Sequence, residues 1–170
     1  MEGDAVWQAG DEGWWSRPLA AAAAAVGQTA ERPMEEVCDS PVVFLLEYND
    51  GFKAAVLHLD GYAREWSYAA RLDGQIQATG MRMFGPPYPL FSYLGLNIQE
   101  MFLTGQPQYP VERTLLVSGG MDALMNSRYR GNIRIETPHL NVSYRGPKEI
   151  PIRPTGPEPQ GASTVPFDRI

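Results

Sequence analysis

The chain has 170 residues, 44% of them hydrophobic, and its 14 Lys and Arg against 20 Asp and Glu give a formal charge of −6. That length predicts one domain with enough apolar content to bury a core, which excludes a disordered chain. The acidic balance excludes a nucleic-acid partner, since phosphate binding needs clustered Lys and Arg. The single cysteine, Cys38, excludes an internal disulfide framework.

Taken in chain order, the residues predict an α+β plan. Asp4–Gln8 reads as an edge strand. Pro18 suits the first turn of a helix, the six alanines Ala20–Ala25 propagate it because alanine loses no side-chain entropy, and Gly27 is the expected stop. The polar segment Gln28–Pro41 reads as a crossing loop with a short turn at Met34–Val37. Val42–Tyr48 and Phe52–Asp60 flank Asn49-Asp50-Gly51, a strong hairpin signal because these residues accept positive φ. Ala63–Leu72 alternates, Asp73-Gly74 punctuates, and Gln75–Phe84 reads as another strand closed by Gly85-Pro86-Pro87.

A helix entering from about Pro89 places Phe91, Leu94, Ile98, Met101 and Phe102 on one face, with Gly105 at its C-cap and Pro107 preventing re-entry. A second helix from Val111 repeats that spacing at Val117, Met121, Leu124 and Met125, and ends with Arg128, Arg130 and Gly131. Asn132–Glu136 and His139–Tyr144 read as a returning strand pair. The expected architecture is an open, mainly antiparallel sheet with helices packed on one face, over residues 1–145. From Gly146 to Ile170 six prolines remove amide donors, so this stretch reads as an extended tail.

The ordered set of Val43–Gly61, Asn97–Pro107, Val111–Arg130 and Gly131–Glu136 resembles the end of the Gfo/Idh/MocA oxidoreductase family, in its sugar- and polyol-related branch. Tyr48-Asn49-Asp50-Gly51 looks like the turn of that family's central hairpin. The closing elements look like its helix ending in Gly-x-Pro, its second helix rich in Ala, Leu and Ser-Arg, and its terminal glycine and short strand. The resemblance runs from about Val6 to Tyr144. It implies the family's second domain, which binds substrate and builds oligomers, with a sheet face that commonly pairs with a second subunit.

It does not extend to the family's Rossmann domain, which binds a nicotinamide dinucleotide through a strand, a glycine-rich turn and a helix N-terminus. No G-x-G-x-x-G follows a strand in this chain. The Glu-Lys-Pro motif that carries the family's catalytic lysine is absent, and the only lysines are Lys53 and Lys148. No histidine precedes His58, although the family places an acid–base histidine near the start of this domain. The expectation is therefore a substrate-side and oligomerisation domain, a fragment or separate subunit, with no catalytic residue of its own. It binds no cofactor by itself, NAD(P) entering only with a Rossmann domain. The alternative is a stand-alone binding or assembly module.

Candidate residues follow from chemistry. Tyr62, Trp66 and Tyr68 alternate with polar residues, so they can stack on a carbohydrate-like small molecule. Trp66 and Tyr68 suit the centre of a dimer face equally well. His139, after Thr137-Pro138, can point into a substrate cleft, against the plainer reading of a loop histidine bonded to backbone. For His58 a satisfied sheet histidine outweighs a catalytic one, and for Asp60 with Glu65, or Glu47 with Asp50, solvated charge outweighs an acid–base pair. No His, Cys, Asp and Glu set has metal-ligand spacing, so no metal is expected. Three helices can hide one sheet face only, so the other is expected to pair with a second copy or with a Rossmann-bearing partner. MEGDAVWQAG lacks a basic n-region and an apolar h-region, and Ala20–Val26 is too short for a bilayer. No membrane partner is expected, and the expected location is cytoplasmic.

Overall fold

The computed structural model describes residues 1–26, 29–81 and 89–146. The expectations for Gly27, for 82–88 and for the tail beyond Gly146 lie outside them. The chain divides into two compact units, one of Met1–Arg82 with Leu124–Ile135, the other of Met83–Ala123 with the segment that begins at Glu136. Helices α1 (Asp4–Asp11), α2 (Arg17–Ala25) and α3 (Met34–Val37) come first. They are followed by strands β1 (Val42–Glu47), β2 (Lys53–His58), β3 (Ser67–Leu72) and β4 (Gln75–Gly80), then by α4 (Pro89–Thr104) and α5 (Val111–Tyr129). The class is α+β, with helices and two small antiparallel sheets.

Both hairpins form as their turn residues dictate. β1 pairs with β2 from Val42↔His58 to Glu47↔Lys53. Gly51 at φ 85° closes the loop, and the Asp50 carboxylate accepts the Phe52 amide at 3.0 Å. β3 pairs with β4 through a two-residue loop in which Asp73 (φ 49°) and Gly74 (φ 78°) both take positive φ, the requirement of a type I′ turn.

The continuous sheet expected from the sequence is not formed: among the described residues the strands make two separate two-stranded sheets. The chain leaves β2 through Gly61, at φ 87°, where a Cβ would lie 2.6 Å from the Val37 carbonyl oxygen. Tyr62 and Ala63 then pair with the Thr29–Ala30 segment, with the Ala30 amide donating to the Tyr62 carbonyl at 3.0 Å. That pairing takes up the backbone that would have carried β2 directly into β3, and β3 begins only at Ser67.

Two further expectations are corrected. Asp4–Gln8 belongs to helix α1, not to a strand. Val6 and Ala9 are buried three residues apart, which is helical spacing, and Asp4 sits in the first turn where an acid is favoured. The strand-like pairing falls just before it, where Glu2 bridges Val42 and the Val43 amide donates to the Met1 carbonyl at 3.0 Å. After α5, Asn132–Glu136 and His139–Tyr144 are not strands. Asn132 turns the chain at φ 66°, Pro138 lacks an amide donor, and Pro138–Leu140 forms a 3₁₀ turn.

The core of the first unit joins Val6, Trp15, Ala20, Met34, Cys38, Val43 and Leu59. Val6 and Val43 are fully buried, each contributing about 1.5–3 kcal/mol. The Trp15 indole donates to the Val6 carbonyl at 2.7 Å, which satisfies its one buried polar group. Ser16 caps α2 by accepting the Leu19 amide. Arg17 then stands over the Trp7 and Trp15 rings, 5.9 and 5.4 Å from their centroids, and its guanidinium pairs with Asp11 and Glu35. Later in the chain, Arg128 pairs with Glu2 and Arg134 with Glu47 at 2.7 Å.

In the second unit α4 ends as expected, with Gly105 at φ 68° and its amide donating to the Met101 carbonyl at 2.9 Å. Its stripe of Phe91, Leu94, Ile98, Met101 and Phe102 is exposed instead of buried, and α5 has no buried residue. Gly119 of α5 accepts the close approach of Leu140, whose Cδ2 would lie 2.4 Å from an added Cβ.

The packing at Trp15 is testable at Gly10, where a Cβ would lie 2.7 Å from ring atom Cζ2. Alanine favours a helix by up to about 1 kcal/mol over glycine, but overpacking costs about 1–3 kcal/mol where the neighbour cannot yield. The indole is held by its bond to Val6, so Gly10→Ala is expected to lower the unfolding free energy in urea. Gly95→Ala in α4, where nothing lies within 4 Å of the added methyl, is expected to raise it by about 0.5–1 kcal/mol. Equal effects at the two positions would contradict a tightly seated Trp15.

Candidate functional site

The two faces of the β3–β4 sheet differ in size and in cover. The register Tyr68↔Thr79, Ala70↔Gln77 and Leu72↔Gln75 puts these six side chains on one face. The Met81 amide donates to the Trp66 carbonyl at 2.7 Å, which continues the ladder by one pair and adds Trp66 and Met81 to that side. Trp66 is 69% exposed, Tyr68 54%, Leu72 52% and Met81 48%. None of the eight residues on this face is charged.

The opposite face carries Ser67, Ala69, Ala78 and Gly80, together with Arg71 and Ile76 next to the turn. Helix α2 packs against both strands, and a Cβ on Gly80 would sit 3.6 Å from the carbonyl of Val26, the residue that caps α2. Ser67, Ala69 and Ala78 are half-buried. A helix whose side chains are methyl groups can approach a sheet closely only over small residues, so the small face is the covered one. Tyr68 and Leu72 of β3 are thereby left outward.

The structure brings Trp66 and Tyr68 together on this face and separates Tyr62 from them. Tyr62 lies in the turn after β2, half-buried against the core, with its amide donating to the Leu59 carbonyl at 3.1 Å. His139 belongs to the second unit, exposed within the Pro138–Leu140 turn. His58 is exposed at the end of β2, opposite Val42 and on the side away from the buried Val43. Three of the four carboxylates considered as acid–base pairs have structural duties. Asp60 accepts the Gly61 amide at 3.0 Å, Asp50 accepts that of Phe52, and Glu47 pairs with Arg134.

Sequence alternation alone does not mark Leu72, Gln75, Gln77, Thr79 and Met81, because their membership of the face depends on the β3–β4 register. The Asp73-Gly74 turn is the signal that fixes that register, since a two-residue loop leaves only one pairing.

Outside this face, the Arg17 guanidinium is the centre of a charged cluster. Burial works against the charge on Arg17, but Asp11 and Glu35 outweigh it and hold the guanidinium above its ordinary range. Among the described residues no three His, Cys, Asp or Glu side chains gather as a metal site, and no helix is long and apolar enough to cross a membrane. On α5 an open groove of about 170 Å³ is lined by Tyr109, Arg113, Thr114, Val117 and Ser118, with the Arg113 guanidinium 4.6 Å from the Tyr109 ring centroid. No protein-family model, curated protein or solved structure matches this chain.

Cys38 is buried, and burial pushes its thiol up, helped by Asp60, Glu35 and Asp39 and opposed by a backbone hydrogen bond with Tyr62. Because the folded state favours the neutral thiol, the associated stability is present below the unfolded thiol's range near about 8.5 and is lost as pH rises through the raised folded value. Ellman's reagent is therefore expected to label the native chain slowly at pH 8 and the urea-unfolded chain quickly. Comparable rates in the two states would contradict a sheltered thiol.

Proposed function

We propose that this chain is the substrate-side and oligomerisation domain of a Gfo/Idh/MocA-like oxidoreductase acting on sugars or polyols, working with a Rossmann-bearing half and inert in catalysis alone. The observation that carries this reading is the outer face of β3 and β4. It has the aromatic character of an interface centre, and α2 partly covers its other side. A face free of charge also avoids the like-charge repulsion that a patch of one sign would meet on its own copy in a chain of formal charge −6. A two-fold contact needs only one self-complementary surface. The order hairpin, α4 with Gly105 and Pro107, α5, then Gly131 keeps part of the ordered set on which the resemblance rests, without the short strand after Gly131.

In this reading the dinucleotide and the catalytic lysine belong to the Rossmann-bearing half, and this chain supplies no acid–base histidine at the start of its domain. This chain contributes a wall for a carbohydrate-like substrate and the contact between subunits. A Rossmann half would hold NAD(P), and the nicotinamide would supply hydride-transfer chemistry there. Trp66 and Tyr68 serve the subunit contact, and His139 is the candidate substrate contact of the second unit.

Two outcomes test the proposal. Titration of this chain with NADH and NADPH in a calorimeter is expected to give no binding in the micromolar range, which corresponds to about −8 kcal/mol. Micromolar binding would mean that the chain holds a dinucleotide site of its own. Light scattering is expected to give a dimer mass, and Trp66→Glu to shift it to a monomer or to aggregate. A well-behaved monomer whose mass and stability are unaffected by Trp66→Glu would overturn the assembly role.

A further inference from the structure

We draw no further inference here: the strongest candidate, the open groove on the opening turns of α5 lined by Tyr109, Arg113, Thr114, Val117 and Ser118, has only exposed polar side chains and no buried, unpartnered group aimed into it, so nothing in the structure marks it for a ligand.

Discussion

A helix made of alanines can lie close against a sheet only where the sheet is also small, and much of the first unit follows from that. Ser67, Ala69, Ala78 and Gly80 form the small face of β3 and β4, and α2 packs against the two strands. Because strand side chains alternate, the same register sends Trp66, Tyr68, Leu72 and Met81 outward. Exposing them is the consequence of closing the other side. Apolar area left in water forgoes roughly 25 cal/mol per Å², so this arrangement favours any partner able to cover it. The proposed assembly role rests on that imbalance.

The position of α2 depends in turn on the tryptophan cluster. Trp15 is buried between α1 and α2 in sequence, with its indole donor satisfied by Val6, and the Arg17 guanidinium stands over both Trp7 and Trp15. Asp11 and Glu35 reach that guanidinium from α1 and α3, so three short helices share one cation. Exposed ion pairs contribute little individually. Here the larger contribution comes from aromatic packing and from the buried Val6 and Val43, with the charges fixing orientation. A two-stranded sheet is marginal by itself, and each sheet of this unit relies on such neighbours: β3–β4 on α2, and β1–β2 on the core residues around Val43.

Local chemistry was legible in the sequence, and non-local pairing was not. Asn49-Asp50-Gly51 and Asp73-Gly74 announced both hairpins because few residues take positive φ, and Gly105 and Gly131 ended α4 and α5 for the same reason. The α1 segment misled because four or five residues of Ala, Val and Trp fit alternation as well as helical spacing; burial of Val6 with Ala9 decides it. The division into two sheets was illegible, since it depends on Tyr62 and Ala63 finding the Thr29–Ala30 segment more than thirty residues earlier, by about the kind of loop closure no local pattern encodes. At the candidate face, Trp66 and Tyr68 stood out by alternation, whereas the cover on the opposite side did not, because a run of alanines has no apolar stripe to show direction.

The most direct measurement of the central claim is hydroxyl-radical footprinting of the chain over a range of concentration, read at Trp66 and Tyr68 with the exposed Trp14 as internal control. If the outer face of β3 and β4 pairs with a second copy, labelling of Trp66 and Tyr68 falls as concentration rises while that of Trp14 stays constant. Labelling of all three that is independent of concentration, in a chain that remains monomeric throughout, would contradict the account.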